Sequence, residues 1–145
     1  MEPVAFLRLA KSLCKQSNNE AALRSAVSRG YYGLFNLAKQ FVEKHVHALP
    51  KRAESQSHEK VYHYLNNCGL EEVVEVAGDL NELRDDRNNA DYELNIDDFQ
   101  DVNFVTLVCL KAQSAYDAFE AFSKNSENRK KLVRGIREYR SKTNN

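Results

Sequence analysis

Residues 71–101 hold twelve acids and two cations, Arg84 and Arg87. Both cations fall in Leu83-Arg84-Asp85-Asp86-Arg87-Asn88-Asn89-Ala90-Asp91-Tyr92-Glu93-Leu94, three residues apart and therefore on one face of a helix. At that spacing Arg84, Asn88 and Tyr92 form one surface row, and Arg87 with Asp91 forms the adjoining row. Two guanidiniums beside a phenol can hold a phosphate and stack on a base, so the chemistry on offer is recognition of an anion or nucleotide. Arg87 also occupies a seam position. Val73, Val76, Leu80, Leu83, Ala90 and Leu94 recur in steps of three and four, and the gap falls at 87. A guanidinium there is costly to bury unless it is paired or faces a wet cleft, so this helix is expected to pack against something polar. Plainer roles compete: Arg87 as the i, i+4 partner of Asp91, Arg84 as a surface arginine, and Tyr92 as packing with a satisfied hydroxyl.

Other chemistries find less support. His45 and His47 point to different sides of a helix, and His58 and His63 are five apart, so neither pair is a chelate and no metal is expected. The glycines stand singly at 30, 33, 69, 78 and 135, so there is no phosphate loop and no cofactor is expected. No nucleophile elbow supports serine hydrolysis. The three cysteines, Cys14, Cys68 and Cys109, have no paired spacing and read as reduced, mostly buried thiols.

These side chains need a scaffold, and the composition indicates an all-α one. A chain of 145 residues, 42% hydrophobic and 29% charged, suits one globular domain, and 5 Gly with 2 Pro leave little turn chemistry. The longest apolar run, Phe104 to Leu110, is too short for a membrane span, and no leader pattern opens the chain, so a cytoplasmic protein is expected. Pro3 opens a first helix with Phe6, Leu9, Leu13 and Cys14 inside. An Asn cap and Glu20 start a second, with one seam at Leu23, Val27, Gly30, Leu34, Leu37 and Phe41 and another at Tyr31, Phe35, Ala38 and Val42. Two seams make it the central member of a bundle. Residues 51–57 read as a polar connection, with Ser57 capping a short third helix that Gly69 closes. The arginine stretch lies on the fourth. Asp97 and Gln100 have the spacing of a capping box for a long fifth, with Val102, Val105, Cys109, Ala112, Tyr116 and Phe119 inside. The expected architecture is an up-and-down bundle of four to five helices over residues 1–124, followed by a basic helix or tail over 125–145. That tail carries seven cations against two acids, a balance of +5, whereas the first 124 residues carry 14 cations against 19 acids, a balance of −5. It either grips nucleic acid or an acidic partner, or folds back on the acidic body.

Three segments together resemble a known family. Arg24-Ser25-Ala26-Val27-Ser28-Arg29-Gly30-Tyr31-Tyr32-Gly33-Leu34-Phe35 is similar to its long helix with an Arg-Ala-Tyr-Tyr core. Ser57-His58-Glu59-Lys60-Val61 is similar to its Thr/Ser-His-x-x-Val helix opening, and Leu83 to Leu94 to its Leu-Arg-x-x-Arg-x-x-Ala-Asp-Tyr segment. The family is HEPN, the higher eukaryote and prokaryote nucleotide-binding domain, and the resemblance covers roughly residues 5 to 123 in order.

The resemblance implies a helical bundle that dimerises, with the arginine motif of each protomer lining a shared cleft. It also implies a setting in toxin–antitoxin, CRISPR or phage-defence systems. Many members are metal-independent ribonucleases; others bind RNA without cleaving it or partner a small nucleotidyltransferase. The catalytic motif is Arg, a polar residue, any three, then His. Arg87 to Asp91 match the first five positions, and Tyr92 replaces the histidine. A phenol titrates near ~10 and is a poor base at neutral pH, so binding of RNA or nucleotide with weak or absent cleavage is expected. The site residues are Arg84, Arg87, Asn88, Asp91 and Tyr92, with Arg87 and Tyr92 carrying any catalysis. Arg29 and Tyr32 either complete the cluster or are structural, and His58 either rescues catalysis, as His63 could, or bonds locally. The alternatives are a non-catalytic helical adaptor and an active ribonuclease with a displaced base.

Overall fold

The computed structural model describes residues 1–51 and 54–143. Among them are six α-helices: α1 (Val4–Cys14), α2 (Glu20–His45), α3 (Glu54–Asn66), α4 (Glu71–Tyr92), α5 (Val102–Lys124) and α6 (Ser126–Thr143). A single 3-10 turn, Asp97–Gln100, precedes α5. The fold is all-helical, as the composition predicts, and no helix among the described residues is long and apolar enough to cross a membrane.

Helix α2 is the hub, packing against α1, α3, α4 and α5. Its two seams explain this: Leu23, Val27 and Leu34 are buried on one row and Tyr31, Phe35, Ala38 and Val42 on the other. The Asn19 side chain accepts from Ala22 N at 3.1 Å and starts the helix as expected. Across the core α5 presents Val105, Ala112, Tyr116 and Phe119, and Phe119 meets Phe41 edge-on at 5.6 Å. Helices α1 and α5 also bring together two thiols far apart in sequence, Cys14 and Cys109, with Sγ atoms 3.4 Å apart. All three cysteines are free.

Three boundaries differ from the sequence reading. Residues 54–57 are helical, so Ser57 is no cap; it sits inside α3, buried, and its hydroxyl donates to the Pro50 carbonyl at 3.0 Å, pinning the incoming chain. Arg52 and Ala53 of the expected connection lie outside the described residues. Asp97 and Gln100 form the 3-10 turn instead of a capping box, because Phe99 between them is drawn into the core at 1% exposure. The α5 cap is Asp101, whose carboxylate accepts from Asn103 N at 2.9 Å. Leu94 does not continue the α4 seam. It lies beyond the helix, 73% exposed.

Arg24 anchors the end of α4. The last turn of a helix leaves carbonyls without partners, and α4 has no cation of its own in that turn. The buried Arg24 guanidinium arrives from α2 and donates to the carbonyls of Asn89 (3.3 Å), Ala90 (2.9 Å), Glu93 (3.2 Å), Leu94 (3.3 Å) and Ile96 (2.9 Å). Glu20 balances it at 3.4 Å, and the Phe99 ring lies 4.8 Å beneath it. The chain after Tyr92 wraps around this one group, which takes Leu94 out of the seam.

Helix α6 packs on α3 and α5 with Leu132 and Ile136 fully buried. The approach is so close that a Cβ at position 135 would overlap the Cys68 carbonyl oxygen, so glycine is required there. Gly69, next to Cys68, takes the left-handed conformation at φ 78° that closes α3.

Two stability predictions follow from these contacts. Gly135→Ala should cost about 1–3 kcal/mol in urea unfolding, because the added methyl meets backbone that cannot yield cheaply. Arg24→Ala should cost about 3–5 kcal/mol by stranding buried carbonyls, and Arg24→Lys should recover only part of it, since an ammonium lacks the planar fork that reaches five oxygens.

Candidate functional site

Helices α2, α3 and α4 converge on Arg87. As its seam position implies, Arg87 is buried, at 9% exposure, and its guanidinium lies over two rings of α2, Tyr31 at 5.5 Å and Tyr32 at 5.4 Å. The expected i, i+4 partner is present: Arg87 Nη1 is 3.9 Å from Asp91 Oδ2. That carboxylate is shared, because Ser28 Oγ of α2 donates to the same oxygen at 3.3 Å. Ser28 Oγ in turn accepts from Arg29 Nη2 at 3.2 Å. Arg29 lies over Tyr32 at 5.1 Å and over Phe6 of α1 at 5.5 Å. Tyr32 therefore has a guanidinium near its ring from each of two helices. Arg29 and Tyr32, uncertain between cluster and scaffold in sequence, belong to the cluster.

The arginines are not saturated. The Nε atoms of both Arg84 and Arg87 are buried and have no hydrogen-bond partner among the described residues. An unmade hydrogen bond from a buried charged donor is expensive, so these two N–H groups are held out of water by the fold with bonding capacity to spare.

His58 closes the cluster from α3. Its ring stacks on Phe35 at 3.9 Å and 9°, lies parallel to Tyr31 at 5.4 Å, and is hydrogen-bonded through Nδ1 to the Tyr31 hydroxyl. Burial first, then the positive fields of Arg84, Arg87 and Lys39, lower its pKa from 6.5 to about 4. Burial raises that of Tyr31, against the opposing pull of Arg84 and Arg87. Both groups are neutral at neutral pH, so the charge beside them comes from the arginines and Asp91. His63 is exposed on α3 beside Tyr62 and is not part of the cluster.

The remaining expected residues lie at the edge. Asn88 is half-buried, next to Arg87 along α4, and Tyr92 ends α4 and is 71% exposed. The phenol is therefore not packed, contrary to the plainer role considered for it. Tyr92 is the last residue of α4, one position beyond Asp91.

The sequence reading passed over Ser28 and Tyr31 as site residues and Arg24 as the group that anchors the end of α4. The signal was there: tracing the buried row Val42, Ala38, Phe35, Tyr31 backwards in steps of four and three leads to Ser28 and Arg24. An arginine and a serine interrupt that apolar row as Arg87 interrupts the row of α4.

Chemically the arrangement offers a pair of oriented guanidiniums, aromatic faces and one shared carboxylate. Among the described residues no group of three or more His, Cys, Asp or Glu side chains is placed to hold a metal ion. In comparisons with known proteins no family model matches the chain, and neither do curated proteins or solved structures.

The buried imidazole gives a test of the site's electrostatics. Folding lowers its affinity for a proton, so as pH falls the unfolded chain is protonated first. The stability contributed by the neutral ring is complete above about 6.5 and is lost as pH falls towards about 4. Relative to a His58→Gln variant, urea unfolding of the native chain should lose about 2 kcal/mol more between pH 7 and pH 5. Parallel pH profiles for the two proteins would contradict the geometry.

Proposed function

We propose that this chain is a HEPN-like dimer of a toxin–antitoxin, CRISPR or phage-defence system. In this reading it acts in the cytoplasm and binds RNA or a nucleotide in a cleft around Arg87-Asn88-x-x-Asp91-Tyr92, with weak or absent ribonuclease activity. The observation that carries the reading is the pair of buried Nε–H groups of Arg84 and Arg87, which have no hydrogen-bond partner among the described residues, with Arg87 lying over the rings of Tyr31 and Tyr32. Guanidinium donors fit phosphate oxygens, and an exposed ring such as Tyr92 offers a face for a base. The three segments that carry the family resemblance support it too, since they lie on α2, α3 and α4 and meet at this cluster.

Cleavage by 2′-hydroxyl attack needs a group that exchanges protons near neutrality. His58, the candidate for a displaced base, is buried with Nδ1 already engaged and is a weak base at a pKa of about 4. That favours recognition over turnover. Dimerisation is supported by Tyr92 and Leu94, two large exposed side chains at and just beyond the end of α4. A second copy covering them would bring its own arginine pair to the same cleft. The sequence has no Gly-Ser and paired-Asp signature of a nucleotidyltransferase, so such an activity would reside in a partner enzyme or another defence-system protein.

A second reading, the helical adaptor, draws on Leu110, exposed at a largely apolar groove of about 370 Å³ between α1 and α5, and on Leu9 and Leu107, exposed elsewhere on the same two helices. Incubation with end-labelled RNA separates the readings. Binding that weakens with salt, falls about thirtyfold in Arg87→Ala (about 2 kcal/mol) and yields no fragments is expected. Fragments that disappear in Arg87→Ala would make the chain a nuclease. An intact dimer with no affinity for RNA or nucleotide would leave the adaptor.

A further inference from the structure

Helix α6 places its charge as deliberately as its apolar side. With Leu132 and Ile136 against α3 and α5, four of its cations line a groove of about 620 Å³ between α6 and the end of α2. Arg129, Lys130, Arg134 and Arg137 line it with His45, and Glu138 is the one acid on its wall. Arg137 is anchored by donating to the His45 carbonyl at 3.3 Å, and Arg129 reaches the Ser123 carbonyl at 3.5 Å. Lys130 and Arg134 are exposed, and neither takes part in an ion pair or side-chain hydrogen bond among the described residues. Burial, together with Lys44 and Arg129, lowers the pKa of His45, another sign that the groove is positive.

We infer that this groove binds the phosphodiester backbone of single-stranded RNA, as a second contact separate from the Arg84/Arg87 cluster. The wall decides between an RNA and an acidic protein segment. A protein interface takes most of its energy from buried aromatic or aliphatic anchors, and this groove offers Val133 alone as an aliphatic wall. Phosphate backbone needs no such anchor, because counterion release from a few Lys and Arg contacts suffices. His45 lies thirteen residues beyond Tyr32 on α2, so the two contacts are about 20 Å apart along the helix. One strand can cross that span, and binding at either contact then raises the effective concentration at the other.

The test is fluorescence anisotropy with oligouridylate of about twelve nucleotides, titrated at several salt concentrations. Lys130→Gln/Arg134→Gln should weaken binding about tenfold and flatten the slope of log K against log salt by about 1.4, two phosphate contacts at about 0.7 each. Uridine monophosphate, which cannot span both contacts, should bind the double variant and the native chain alike. An unchanged affinity and slope for the double variant would overturn the inference while leaving the Arg87 reading intact. Loss in the double variant with none in Arg87→Ala would uphold it and overturn that reading. Poly-L-glutamate bound through Lys130 and Arg134 more tightly than RNA would replace it with an acidic protein partner, and no affinity of the native chain for the oligonucleotide would end it.

Discussion

One buried guanidinium holds this architecture in register. Arg24 ties the end of α4 to the chain that follows by donating to five carbonyl oxygens, those of Asn89 and Ala90 in its last turn and of Glu93, Leu94 and Ile96 beyond it. A buried charge is tolerable only with such complete compensation, and the Phe99 ring and Glu20 supply the rest. Since Asp91 and Tyr92 lie between those carbonyls in sequence, the position of the candidate site relative to α2 follows from this contact. An arginine that could be read as functional is thus structural, and its structural role sets the functional geometry.

The cluster around Arg87 extends the same physics towards function. Tyr31 and Tyr32 receive the guanidinium through their faces, which attracts charge without using up its N–H donors. Asp91 compensates part of the charge from 3.9 Å, while sharing the same oxygen with Ser28. A tighter, bidentate carboxylate would have spent the arginine on the fold. The neutral His58–Tyr31 pair behind it adds polarity without a competing charge. The outcome is a positive interior with donors in hand and a buried imidazole that is a weak base.

Helix α6 separates charge by packing. Its apolar stripe and Gly135 bring it hard against the backbone at Cys68, and Arg129, Lys130, Arg134 and Arg137 are left on the side facing the end of α2. The twelve acids of residues 71–101 lie on and after α4, apart from that surface. The balanced total charge thus divides into a basic groove and an acidic flank, and this division decides what each face can attract.

The sequence alone determined the helices, because periodicity at three and four residues is a local property: α2 with two seams, α4 with an arginine in its seam, and α5 with an aromatic stripe. It also marked Arg84, Arg87, Asn88 and Asp91 as neighbours, since helix geometry fixes such distances within one element. Only the tertiary structure decided what lies across from them. That Arg24 reaches Ile96, that Ser28 and Arg29 complete the Asp91 chain, and that His58 bonds to Tyr31 instead of facing water depend on how α2, α3 and α4 cross. The boundary errors have the same origin. Ser57, Phe99 and Leu94 behave against their local pattern because a carbonyl at Pro50, the core, and the Arg24 guanidinium claim them, and each of these contacts joins residues that only folding brings together.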